Sequence, residues 1–340
     1  MSGTIQEVRG TEKERREIAA FLATFVRKGG LENPRPGDDD ESCWIQRFRW
    51  WWDDNPMCRP DSPMGLTLYS EDRMVGFHGF IPVDYAIDEE IVPTLLATTF
   101  FVEESHRDSV MAILLRLRRL GSSFQIVDGS PSEKMRELLD KIGFQKEEER
   151  FQYFFPLPKL GGKVSQKLLR QFGLSLPLKN SPDPRAYLAN LPEEIEGLPE
   201  IRDGKLRRHL SIESLQWLTS VGSEPRSFFG LCDAKGMLRS YAIGVYKERF
   251  GLRACMLLDT CDFTPEKTGL EELLVSLTQN PEEAGVRSDT DLITWSVLGS
   301  PSEGSSSGLR RGSILHYSLP SHRSDCTRAS VPFESDLPLL

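Results

Sequence analysis

Long apolar runs are missing from this sequence of 340 residues. No stretch approaches the ~18 residues needed to span a bilayer. The opening segment, MSGTIQEVRGTEKERR, lacks the apolar core of a secretory leader. A cytoplasmic protein with no membrane partner is therefore expected. Positive charge is also in deficit. The chain carries 42 Lys and Arg against 51 Asp and Glu, a formal net charge of −9. That balance argues against nucleic-acid binding by bulk attraction. Cysteine is sparse, with six residues at 43, 58, 232, 255, 261 and 326 and no CxxC pair. The five histidines are scattered, so no zinc-type spacing arises and no metal is expected. What remains is an ordinary globular composition, 39% apolar and 27% charged, at a length that suits two domains.

The stretch from Leu95 to Leu120 organises the rest. Leu95 to Val102 is apolar and rich in Thr and Phe, as a buried strand should be. Val110, Ile113, Leu114, Leu117 and Leu120 then repeat at the spacing of one helix face. A strand that turns directly into a helix leaves the first helical N–H groups without partners. Together with the helix dipole, those donors suit a phosphate or pyrophosphate, and Arg107 adds charge at the turn. An ordinary strand–helix connection fits the same stretch.

Around it, the pattern predicts a helix from Glu12 to Arg27 and a Trp-rich helix from Cys43 to Trp52, the four Trp being read as core. A hairpin over Gly65–Ser70 and Met74–Ile87 precedes the central strand. A short strand, Phe124–Val127, follows the central helix. Ser130-Pro131-Ser132-Glu133 reads as a capping box with Pro at the first helical position, opening a helix that Gly143 ends. Phe151 to Leu157 reads as the strand that closes this unit. After a change of character near residues 159–200, the order restarts: a helix over Leu206–Leu218, a hairpin over Phe228–Tyr246, a strand over Ala254–Phe263, a helix over Thr264–Leu277, and strands at Asp291–Leu298 and Ser313–Leu319. The pentapeptide Gly129-Ser130-Pro131-Ser132-Glu133 recurs at Gly299-Ser300-Pro301-Ser302-Glu303, each time after a strand. The fold class expected is α/β: two tandem domains, each a mixed, mostly antiparallel sheet flanked by helices. The boundaries are 1–158 and 201–320, with a linker at 159–200 and a disordered tail at 321–340.

Several short motifs, in order, resemble the GNAT superfamily of N-acyltransferases, and the whole chain resembles its tandem-domain members. Met74-Val75-Gly76-Phe77 is similar to a family core strand. Phe101-Val102 followed by Ser105-His106-Arg107 is similar to the end of the fourth strand and the start of the acyl-CoA loop, and Lys141-Ile142-Gly143-Phe144 to the ending of the family's next helix. The resemblance implies that Phe101, Val102 and the run Arg107, Asp108, Ser109, Val110, Met111 and Ala112 hold an acyl-CoA. Arg107 and Ala112 match the loop pattern, while Val110 stands where the family has Gly and Leu139 where it often has Tyr.

An acyl-CoA-dependent N-acyltransferase is the function this implies, with acetyl-CoA as co-substrate and an amine-bearing acceptor. An amine with pKa about 10.4 must lose a proton before it attacks. Glu103, at the end of the fourth strand, and His78, on its neighbour, are the candidate proton acceptors, with a water chain as the alternative. Thr264 to Gly269 in the second half has no Arg and no early Gly, so that half is expected to shape the acceptor cleft or an interface. The competing reading is a non-catalytic GNAT-like module that binds a ligand or partner.

Overall fold

The structure, a computed structural model, describes residues 3–31, 34, 37–128, 131–146, 150–171, 178, 185–200, 202, 204, 206–220, 226–249, 251–265, 268–298 and 317–319. They form two compact units: residues up to 146 with 317–319, and residues 150–298. Each is built on its own mixed, mostly antiparallel sheet flanked by helices, the α/β class expected. Among the described residues no helix is long and apolar enough to cross a membrane.

The first unit runs β1 (Thr4–Val8), α1 (Glu12–Arg27), α2 (Glu41–Phe48), β2 (Gly65–Ser70), β3 (Arg73–Ile87), β4 (Glu90–Val102), α3 (Val110–Leu120), β5 (Gln125–Asp128), α4 (Glu133–Lys141) and β6 (Gln145–Lys146). A reciprocal box starts α1: the Glu14 amide donates to Thr11 Oγ1 and the Thr11 amide to Glu14 Oε2. Gly29, at φ +76°, ends it in a conformation that side chains resist. Helix α1 buries Ile18, Ala19, Leu22, Ala23 and Val26. Helix α2 runs into a π-helical turn, Arg49–Asp53, and Trp44, Trp50, Trp51 and Trp52 are all buried. Phe48 stacks on Trp52 at 4.6 Å, and the Trp52 indole N–H donates to the Phe80 carbonyl at 2.9 Å. The tryptophans therefore join the helical layer to the sheet as core.

The second unit contains β7 (Arg150–Pro156), α5 (Gly162–Gln171), β8 (Tyr187–Ala189), α6 (Ile212–Thr219), β9 (Arg226–Cys232), β10 (Leu238–Arg249), β11 (Leu252–Asp262), α7 (Gly269–Gln279) and β12 (Leu292–Leu298). Its sheet order is β7-β12-β11-β10-β9-β8. Tyr153, Phe155, Phe229, Leu257, Leu273, Leu277 and Ile293 form the centre of its core.

The two sheets share one local plan. In each, a hairpin (β3–β4 or β10–β11) carries one extra residue on its second strand. That residue is Thr99, between the pairs His78–Phe100 and Gly79–Thr98, or Leu258, between Ile243–Asp259 and Gly244–Leu257. Each second strand then takes a parallel neighbour, β5 over Thr94–Ala97 or β12 over Ala254–Leu257. Each parallel neighbour is flanked in turn by an antiparallel strand.

That last strand departs from expectation. The 151–157 segment does not close the first sheet. Strand β7 pairs with β12, from Arg150–Leu298 to Pro156–Leu292, in the second. The first sheet is closed instead by β13 (Tyr317–Leu319), which pairs Ser318 with both Val127 and Gln145. The alternation of Phe151, Tyr153, Phe155 and Leu157 specifies a strand with one buried face, but not its partner.

Other expectations shift locally. The 159–200 segment holds α5 and a strand of the second sheet, β8, paired with Gly230–Cys232. Ser132, not Ser130, caps α4 by accepting from the Met135 amide, so Pro131 precedes the cap. Helix α6 begins at Ile212 and α7 at Gly269, later than the apolar spacing predicted. The second pentapeptide and the 321–340 tail lie outside the described residues.

Candidate functional site

Strand β4 outruns its parallel partner. The β4–β5 ladder stops at Ala97–Asp128, yet β4 continues to Val102. The extra residue, Thr99, sits just past that point with φ +50°. A β-branched residue in the left-handed region is strained, and the bulge redirects the strand end. Thr98 and Thr99 share a hydroxyl–hydroxyl contact of 3.2 Å there. Leu258, the matching residue of the second sheet, is not among the left-handed residues.

Beyond Val102 a polar turn, Glu103 to Ser109, leads into α3. Glu104–Ser109 forms a 3-10 helix. The His106 amide donates to the Glu103 carbonyl, and the Val110 amide to the Arg107 carbonyl. Helix α3 then starts behind Ser109 with no side-chain cap, whereas α1, α2 and α4 each have one. Arg107 and Glu104 are paired at 3.3 Å in an exposed position, and Asp108 and Ala112 are exposed. Phe101, Ser109, Val110 and Met111 are half-buried.

The corresponding end in the second unit is filled from within. Asp262 is the last residue of β11, and its carboxylate accepts from the Thr264 amide, the Thr264 hydroxyl and the Leu270 amide at 2.7–2.9 Å. Thr264 Oγ1 accepts from the amides of Thr268 and Gly269. The first amides of α7 thus already face a carboxylate and a hydroxyl, which occupy the place an external anion would take.

The candidate proton acceptors are not poised alike. Glu103 is held by Arg73 through two hydrogen bonds of 2.6 and 2.7 Å, and that guanidinium keeps its carboxyl below the usual glutamate range. His106 Nδ1 lies 4.0 Å away. His78 is 3% exposed, edge-on to Phe80 and Phe100, and its Nδ1 has no hydrogen-bond partner. Burial pushes its pKa down to about 3, so the ring is neutral at physiological pH. Asp84, further along β3, is bound by Arg59 at 2.8 and 2.9 Å.

A cavity of about 1070 Å³ adjoins the end of β4 and brings Val102, Glu103 and Arg107 to one place. Helix α1 from Glu17 onward, the turn after it, and Asp72, Arg73 and Met74 also line it. His78 and Asp108–Ala112 are not part of its lining. Sequence reading missed Arg73, Phe21 and Phe25 as site residues. The first lies 30 positions from its partner, and the other two carry the periodicity of a core stripe. Among the described residues, no group of three or more His, Cys, Asp or Glu is placed to hold a metal.

No family model matches the sequence, and no curated protein is similar to it. Solved structures are similar in fold. A GCN5-related N-acetyltransferase from Anabaena variabilis superposes with a TM-score of 0.56 at 12% identity, over 93% of this chain and 72% of that one. A probable N-acyltransferase from Enterococcus faecalis gives 0.56 at 9% identity, over 94% and 72%. A GCN5-related N-acetyltransferase from Kribbella flavida gives 0.51 at 12% identity, over 95% and 72%. By these similarities the chain shares the α/β fold of the GCN5-related N-acetyltransferases.

Proposed function

We propose that the first unit is an acyl-CoA-dependent N-acyltransferase, with acetyl-CoA the expected donor and an amine the acceptor. The observation that carries this reading is the free end of β4, where Val102, Glu103 and Arg107 line one cavity beyond the stop of the parallel ladder. A thioester laid along Thr98–Val102 meets backbone amides that can polarise its carbonyl. Phe101 and Val102 flank the pantetheine path. Arg107 and the run Asp108, Ser109, Val110, Met111 and Ala112 receive the pyrophosphate at the uncapped start of α3.

The amine lone pair attacks the thioester carbon, forming C–N and then breaking C–S. The ammonium proton passes to water or Glu103. The thiolate takes its proton from solvent, since buried Leu139 offers none. Positioning supplies most of the rate in such a scheme. Occupation of the second unit's turn by Asp262 and Thr264 supports giving the donor site to the first unit alone.

Two observations favour the second reading, a GNAT-like module that binds without turnover: His78 is buried and neutral, and Glu103 is tied to Arg73. Release of CoA thiol from acetyl-CoA in the presence of an amine panel, measured beside calorimetric binding of acetyl-CoA, separates the two. Binding without thiol release across the panel supports the module; amine-dependent release supports the transferase.

A further inference from the structure

We propose that the cavity on the α1 side of the β4 end is an acceptor pocket for a monoamine bearing an aromatic or bulky aliphatic group. This rests on the acyl-transfer reading and assigns its acceptor class. The cavity has an apolar floor and a charged rim. Met74 and Val102 are buried beneath it, and Phe21 and Phe25 are half-buried in its wall. The rings of Phe21 and Phe25 lie 6.1 Å apart in this wall, and Phe25 is held from behind by Phe101 of β4 at 5.0 Å.

The rim decides among ligands. An acyl chain fits the rings but uses none of the charges. A polycation needs uncompensated carboxylates, yet Glu103, the carboxylate at the strand end, is bonded to Arg73. Glu17, which also bonds the Tyr69 hydroxyl, and Asp72 then face a single ammonium, with Lys28 limiting the negative field. One cationic group on an apolar body matches that balance. Aromatic rings add an attraction for such a cation. The amine would sit beside Glu103, at the strand end where the thioester is placed.

The test is calorimetric titration of the full chain with 2-phenylethylamine, with spermidine as the contrasting amine and acetyl-CoA titrated separately. Saturable binding of 2-phenylethylamine is expected, weakened at least tenfold in Phe25→Ala and in Ala20→Trp, with spermidine failing to compete. Ala20 lies in the wall, and Ala20→Trp fills the groove without removing a packed ring. Thermal melts confirm that both variants fold. Absence of saturable amine binding, tighter binding of spermidine, or an undiminished 2-phenylethylamine affinity in folded Ala20→Trp overturns the assignment. If acetyl-CoA binds and the amine does not, only the pocket assignment falls. If acetyl-CoA does not bind, the acyl-transfer reading falls and the acceptor role falls with it.

Discussion

Arg73 clamps Glu103 through two parallel hydrogen bonds, 2.6 and 2.7 Å, where β3 begins and β4 ends. The guanidinium favours the charged carboxylate, so Glu103 is a weaker base than a free glutamate. Its lowered pKa means that the pair stabilises the fold above pH ~4.3 and loses that contribution as pH falls further. Arg73 is mostly exposed, so solvent screening holds the pair to under about 1 kcal/mol. Glu103→Gln should therefore slow acyl transfer by less than the ~100-fold of a dedicated general base. Steady-state rates with acetyl-CoA binding checked in parallel test this. Complete loss of turnover with intact binding would show that Glu103 is the base.

His78 carries the opposite consequence. Its folded pKa, about 3, lies below the ~6.5 of an unfolded histidine. The unfolded state therefore binds the proton first, and stability falls as pH drops from 6.5 toward 3. At pH 5 that cost is about 2 kcal/mol. His78→Phe, which keeps an aromatic ring beside Phe80 and Phe100, should remove this part of the acid sensitivity. Urea unfolding at pH 7 and pH 5 reads it directly, and an unchanged pH difference in the variant would refute it.

Thr99 and Leu258 separate by their backbones. Thr99→Gly should stabilise the first unit by about 1 kcal/mol, because glycine adopts φ +50° without strain. Leu258 is 5% exposed, so Leu258→Gly should cost about 3 kcal/mol in lost packing. Equal effects in thermal melts would mean that the bulge of the first sheet stores no strain.

The local elements were largely legible in the sequence. The spacing of Ile18 and Leu22 gave α1, that of Ile113, Leu114 and Leu117 gave α3, and Gly143, at φ +94°, ends α4 where a glycine was expected. Pairing was not legible. Residues 150–156 alternate as any half-buried strand does, and their partner lies at 292–298, so only the folded sheet decides between neighbours. Of the cavity lining beside the β4 end, motif order had singled out Val102, Glu103 and Arg107, but the clamp from Arg73, the cap from Asp262 and the cavity face of Phe21 and Phe25 depend on contacts that periodicity does not encode.

The exchange of closing strands has its own consequence. Ser318 lies between β5 and β6, paired on both sides, so Ser318→Pro removes an N–H from the interior of the first sheet. A loss of about 3 kcal/mol from the first unit is expected. Hydrogen exchange at Gln125–Asp128 should accelerate while Leu292–Trp295 stays protected. Uniform loss of protection in both segments would show that the two units unfold as one.

The most direct test of the account is calorimetric titration of acetyl-CoA into the full chain, repeated with Arg107→Ala and Asp262→Ala. One site per chain is predicted. Arg107→Ala should weaken it by about 1–3 kcal/mol through loss of a charge-assisted phosphate contact, and Asp262→Ala should leave it unchanged. Val110→Gly, in the same series, should hold or tighten affinity while costing about 1 kcal/mol of helix stability. No saturable binding by the wild-type chain, or binding lost in Asp262→Ala and kept in Arg107→Ala, would contradict the assignment of the donor site to the first unit.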